Sequence, residues 1–256
     1  MDVPHRLVPL DGAFNFRDLG GYQGTGGRVT RWGTLFRSDT LHELSPSDVT
    51  LLRSMGLATI IDLRTARELL QTGRGPLGPE PIAYRHLSVI GDGSGGGAGG
   101  AGGEAVAAPD VDDLTERYLW YLEVGGPALA ESLAVLGDPT SYPLVFHCAA
   151  GKDRTGVLAA LVLDLCGVAP EVIVADYLIT AERMKLILGR YRADPAFEAR
   201  MAAVPPGRFG VEADTMERFL DILHRRFGGA EGWATAAGVS PATIGGLREV
   251  LLGPAH

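Results

Sequence analysis

The sequence has few cysteines, no long apolar run and no surplus of positive charge, and each shortage removes a class of protein. Only Cys148 and Cys166 occur among 256 residues, a pair too sparse for a disulfide framework, so both thiols are expected to be reduced. No stretch approaches the roughly 20 apolar residues of a membrane-spanning helix. The start, MDVPHRLVPLDGAFNFRDLGG, lacks the basic and then apolar pattern of a secretion signal. No integral membrane segment is therefore expected, and residence in the cytoplasm is, with export without a cleaved signal as the alternative. The formal charge of −8 argues against the basic footprint that nucleic acid or anionic lipid requires, so no nucleic-acid partner is expected. An anionic substrate must then be captured by a local cluster of donors. Neither Cys-x-x-Cys nor a His pair at ligand spacing is present, which leaves no expected metal site.

What is present points to one α/β domain. An apolar share of 46% suits a chain with a proper core, and a single domain over 1–256 is expected. LSPSDVTLLRSMGL reads as a helix with Ser45 as N-cap, Pro46 in its first turn, Asp48 at its positive end and Gly56 beyond its close. ATIIDLR reads as a buried strand, and IAYRHLSV, from near Ile82, as a second. Residues 91–103, GDGSGGGAGGAGG, offer no side chains to bury and the most backbone freedom to lose, which predicts a flexible insertion within the domain. A linker between two domains is the alternative. Two helices separated by Gly125, Gly126 and Pro127 follow, with Tyr118, Trp120 and Tyr121 read as core. YPLVFHC is a buried strand and RTGVLAALVLDLCG a helix ending at Gly167, with Cys166 as a small buried hydrophobe. From Pro170 to His256 the period is almost entirely helical. The order of these elements predicts a central, mostly parallel sheet flanked by helices, with a helical C-terminal portion closing one side.

The chemistry concentrates in HCAAGKDRTG, residues 147–156, between the strand and the helix. A phosphoryl group in transfer spreads charge over three equatorial oxygens, so a catalyst needs a ring of fixed donors with a nucleophile in line beneath it. Cys148 is the expected nucleophile, its thiolate favoured by backbone N–H groups and the dipole of the following helix. Arg154 is expected to grip two phosphate oxygens with its planar fork, which lysine cannot reproduce. Ala149, Ala150 and Gly151 are small enough for successive amides to approach the ligand. Thr155 is positioned to donate to the Cys148 sulfur. His147 is expected to orient the loop rather than act as base, because an already ionised thiol needs none.

HCAAGKDRTG resembles the signature loop of the protein tyrosine phosphatase superfamily. FNFRDLGGY, LFRSDTL, IIDLRTARE and GGAEGWATAAGVSPATIGGLREVLL narrow the likeness to the bacterial atypical tyrosine phosphatases over nearly the whole chain. The resemblance implies a tyrosine-phosphatase-like fold, a phosphocysteine intermediate, no cofactor and no metal. It implies activity on phosphotyrosine, often extending to phosphoserine, phosphothreonine and phosphoinositides, so the expected partner is a phosphorylated protein or a phosphoinositide. Ordinary members carry their general acid in a Trp-Pro-Asp sequence, which this chain lacks. In the atypical group the Asp inside the loop is assigned that role, which points to Asp153. Asp62 is then expected near the loop as a group that positions or tunes the acid, with Asp110, Asp112 and Asp113 as rival acids.

Lys152 has two readings, an extra cation at the pocket floor or rim that would suit polyanionic inositol lipids, and a solvated surface charge. Arg17 and Asp18 are expected to form a buried ion pair supporting the loop. Met184, Leu186, Ile187 and Leu188 fall where the resemblance implies a lid, although a plain core-facing helix is the preferred reading. Rhodanese-type sulfurtransfer and arsenate reduction use comparable loops but leave His147, Thr155, Gly156 and the N-terminal segment unexplained. A non-catalytic phosphate-binding module is the remaining alternative.

Overall fold

The computed structural model describes residues 6–91, 113–190 and 209–255. Nearly all of the glycine-rich stretch, together with Asp110 and Asp112, lies outside the described residues. Among the described residues seven strands, numbered in chain order, form two sheets: β1 (Arg17–Asp18), β2 (Arg28–Thr30), β3 (Leu35–Ser38), β4 (Thr59–Asp62), β5 (Ala83–His86), β6 (Leu144–His147) and β7 (Leu252–Pro254). The main sheet has the order β1-β3-β6-β4-β5. Its β3, β6, β4 and β5 run parallel, and β1 is the antiparallel edge.

Alternation along the strands explains the layers. Phe36, Ile60 and Val145 face one apolar cluster, whereas Leu35, Ile61, Leu144 and Phe146 face another, as a period of two requires. The first cluster is covered by the N-terminal segment and by α1 (Pro46–Ser54), which buries Leu52. Ser45 caps α1 in a reciprocal capping box with Asp48, as its sequence predicts. Helix α2 (Ala66–Thr72) repeats the device with Thr65 and Glu68.

The second cluster takes α3 (Leu114–Val124), α4 (Gly126–Leu136), α5 (Asp153–Leu165), α6 (Pro170–Arg190), α7 (Ala213–Phe227), α8 (Ala230–Ala236) and α9 (Pro241–Leu251). Helix α5 is apolar on almost every side because α3, α6 and α8 surround it. Each of its fully buried leucines contributes about 1.5–3 kcal/mol of burial free energy.

One expectation needs correction. The segment IAYRHLSV forms an edge strand with Ala83 and Arg85 exposed, so β5 is not buried. Among the described residues the C-terminal portion is almost entirely helical, and its last strand, β7, pairs with β2 in a separate ribbon. Helix α6 turns Met184 and Ile187 into the core and leaves Leu186 about half exposed, which is the core-facing arrangement.

Candidate active site

Strand β6 is central in the sheet, and Cys148 follows its last residue directly. The crevice beyond the carboxyl ends of parallel strands is where such sheets bind ligands. Between Cys148 and the first turn of α5 the chain must reverse, and Gly151 does so at φ +64°. A Cβ there would lie 2.5 Å from the Ser38 carbonyl oxygen, so only glycine fits against the end of β3.

The loop is held from outside by its carbonyls. The Thr40 amide donates to Ala149 O at 3.1 Å. Asn15 Nδ2 donates to Ala150 O at 3.3 Å and to Gly151 O at 3.2 Å, and Arg37 Nη2 reaches Gly151 O at 2.9 Å. Among the described residues, the amides of Ala149, Ala150 and Gly151 donate to no protein acceptor. A short arc with carbonyls clamped on one side and amides unengaged on the other is the backbone arrangement that binds anions.

Behind the arc lies a buried cluster built on Asp176 of α6. Its carboxylate takes Arg17 Nε at 2.9 Å, Arg37 Nη1 at 2.6 Å and the Tyr22 hydroxyl at 3.1 Å. Arg17 therefore does not pair with Asp18. Neighbouring strand residues point to opposite faces, and Asp18 instead accepts the amides of Gly20 and Gly33. Burial raises the Asp176 carboxyl, but the two guanidinium groups outweigh it and hold it well below the usual carboxylate range. Burial, aided by Arg17, lowers Arg37 to about 10, so it stays charged at neutral pH. Two cations on one carboxylate leave one net positive charge behind the phosphate loop, which favours an anion in front of it.

Arg154 stands in the first turn of α5 and is 9% exposed. Its Nη1 and Nη2 meet Glu68 Oε2 and Oε1 at 2.6 and 2.9 Å. Glu68 cannot swing away freely, because Oε2 also caps the Thr65 amide at 2.7 Å. Burial pushes the Glu68 carboxyl up, but Arg154 outweighs it and brings the group to about 2. An end-on pair of this kind leaves the Nε edge of the guanidinium, with the second Nη2 proton, as a fork for two phosphate oxygens.

The other predicted residues fall around this core. His147 is buried, directs Nδ1 to Cys148 O at 3.2 Å and places Nε2 3.6 Å from Asp62 Oδ2. Burial lowers its imidazole, which suits an orienting ring rather than a cation. Asp62 is fully buried and accepts Arg64 Nη2 at 2.6 Å and the Tyr84 hydroxyl at 2.7 Å. Burial raises its carboxyl, yet His147, Arg64 and Tyr84 together hold it far below the ordinary value. Its contacts lead to the loop through His147 and do not reach Asp153.

Asp153 is 27% exposed at its side chain and accepts the Tyr118 hydroxyl at 2.8 Å. Lys152 is 2% exposed, with Nζ 3.1 Å from Gly210 O and 3.3 Å from Asp153 Oδ1, so it is not a solvated surface charge. Thr155 Oγ1 is buried without a hydrogen-bond partner, the Cys148 sulfur included. Of the rival acids, Asp113 is the N-cap of α3 and pairs with Arg218 at 2.8 Å. Cys166 is fully buried, and burial pushes its thiol up to about 12.

Sequence reasoning missed Asn15, Arg37, Glu68, Tyr118 and Asp176. Asn15, Arg37 and Glu68 lie inside FNFRDLGGY, LFRSDTL and IIDLRTARE, segments singled out as wholes. Tyr118 was read only as core, and Asp176 had no local signature.

A family model described as "Tyrosine phosphatase family" matches residues 8–253. The triple specificity protein phosphatase PtpB of Mycobacterium tuberculosis is 30% identical over 95% of this chain and 98% of its own length. A tyrosine-protein phosphatase of Nostoc commune is also 30% identical, over 86% of this chain and 74% of its own. Among solved structures, the Siw14 catalytic core covers 89% of this chain and 97% of its own, a distant likeness at 16% identity and a TM-score of 0.39. The chain belongs to the tyrosine phosphatase family, whose members hydrolyse phosphate monoesters. No helix among the described residues is long and apolar enough to cross a membrane.

Proposed function

We propose that this chain hydrolyses phosphotyrosine, and also phosphoserine and phosphothreonine, through a phosphocysteine formed on Cys148. The observation that carries the proposal is the clamped loop: three carbonyls fixed outward, three unengaged amides, and Arg154 held at the rim by Glu68. In the first step Cys148 Sγ attacks phosphorus in line, the phosphorus–oxygen bond to the leaving group breaks, and Asp153 gives that oxygen its proton. The loop amides, the Arg154 fork and the Thr155 hydroxyl stabilise the spread charge. In the second step a water attacks the phosphocysteine and loses its proton to Asp153. The sulfur–phosphorus bond breaks, and thiolate and inorganic phosphate result. His147 and, through it, Asp62 position the loop.

The breadth of substrate follows the printed name of the mycobacterial relative, a triple specificity phosphatase. Phosphoinositides are the second substrate class, because Lys152 adds a cation beside Arg154 in the loop. A reduced Cys148 fits a reducing compartment such as the cytoplasm, and all 256 residues are assigned to one domain.

The test is hydrolysis of an aryl phosphate, expected to be abolished by Cys148→Ser, inhibited by vanadate and indifferent to a chelator. Activity that survived Cys148→Ser, or needed magnesium, would overturn the mechanism. Thiosulfate and arsenate in the same assay separate sulfurtransfer and arsenate reduction. A panel of phosphotyrosine, phosphoserine and phosphoinositide substrates ranks the classes.

A further inference from the structure

The Tyr118 hydroxyl has a place that core packing does not explain. Tyr118 is fully buried on α3, yet its hydroxyl lies 2.8 Å from Asp153 Oδ1 and 2.9 Å from the hydroxyl of Tyr177 on α6. Their rings meet edge to face at 6.2 Å, and Tyr118 makes a second such contact with Phe219 of α7. Three helices thus fix the phenol in place. A phenol has one proton, and a carboxylate oxygen only accepts, so Tyr118 donates to Asp153 and Tyr177 donates to Tyr118. Burial, then the Asp153 charge, raise the Tyr118 hydroxyl well above its ordinary value, so it remains a donor at every working pH.

The two Asp153 oxygens are therefore unequal. Oδ1 carries the Tyr118 bond and faces Lys152 Nζ at 3.3 Å, whereas Oδ2 accepts no hydrogen bond among the described residues. We infer that Tyr118, backed by Tyr177, is a positioning residue of the phosphatase reaction that anchors Asp153 by Oδ1 and leaves Oδ2 to carry the proton to the leaving group. The inference rests on Asp153 being the general acid.

Among the described residues, the charged and titratable groups around Asp153 include Lys152 and Arg154 on its own segment, and Tyr118 and Tyr121 from α3, with Arg117 bearing on Tyr121. Tyr177 comes from α6, and Glu212 precedes α7 and bears on Tyr177. Of these, Tyr118 donates directly to the carboxylate.

The test compares Tyr118→Phe, Tyr177→Phe and Asp153→Asn by the pH dependence of kcat/KM and by the response of kcat to leaving-group acidity. In Tyr118→Phe the alkaline limb of kcat/KM is expected to move. Its kcat should fall about five- to twentyfold with poorly leaving alcohols and little with nitro-activated phenols, which need no acid. Tyr177→Phe should show the same pattern more weakly, and it carries the test if Tyr118→Phe does not fold. A wild-type limb and leaving-group response in both tyrosine variants would overturn the inference. If Asp153→Asn itself kept the wild-type response, the assignment of Asp153 would fail instead, so the two failures are distinguishable.

Discussion

Replacing Gly151 by alanine adds one methyl group at the tightest point of the phosphate loop. Gly151 sits at φ +64°, where an L-residue costs about 1–2 kcal/mol. The added Cβ would stand 2.5 Å from Ser38 O and 2.6 Å from the Asp39 amide, both backbone atoms of the segment ending β3. Backbone on both sides cannot rotate away, so the loop must move by about 1 Å to restore ordinary contact, a displacement that can cost on the order of 100-fold in rate. Loss of one aligned donor costs about 100- to 1,000-fold, so kcat/KM on an aryl phosphate should fall at least 100-fold. Gly228, the residue closing α7, supplies the control. It lies at φ +76° with nothing within 4 Å of a built Cβ. Gly228→Ala should lose the same roughly 1–2 kcal/mol in urea unfolding and keep its full rate. If Gly151→Ala stayed within a few-fold of wild-type kcat/KM while circular dichroism showed it folded, the claim that loop geometry sets the rate would be refuted.

Glu68→Gln keeps shape but removes the charge that clamps Arg154, and its kcat is expected to fall about tenfold, in line with loss of a charge-assisted bond of roughly 1.5–3 kcal/mol. The Glu68 carboxyl is depressed on folding from 4.5 to about 2, so its stabilisation is present above pH 4.5 and is lost as pH falls toward 2. Urea unfolding should therefore separate wild type from Glu68→Gln at pH 7 and bring them together near pH 2, and equal stability at pH 7 would contradict the pairing. Because burial pushes Cys166 up to about 12, iodoacetamide at pH 7 should leave Cys166 of the folded chain unlabelled. Cys166→Ala should retain full activity, and labelling of Cys166 in the folded protein would contradict its burial.

The sequence by itself determined the reactive loop and the local elements around it. HCAAGKDRTG places a nucleophile, small residues and an arginine within one turn of chain, so spacing along the backbone already implies their meeting in space. The cap of α1 and the strands β4 and β6 were legible for the same reason, being set by residues a few positions apart. The exposed edge of β5 and the β2–β7 ribbon were not, since burial and pairing there depend on what lies beside each strand.

Only the tertiary structure decided what holds the loop and its acid. Asn15 reaches Gly151 across 136 residues, Arg17 reaches Asp176 across 159 and Arg154 reaches Glu68 across 86. No local pattern encodes such pairs, because each side chain alone reads as an ordinary polar residue. The exchange of Asp18 for Asp176 as the partner of Arg17 follows from the alternation of a strand, which sends adjacent side chains to opposite faces. Tyr118 likewise has the periodicity of a core residue, and only the approach of α3 and α6 to the first turn of α5 gives its hydroxyl a carboxylate to hold.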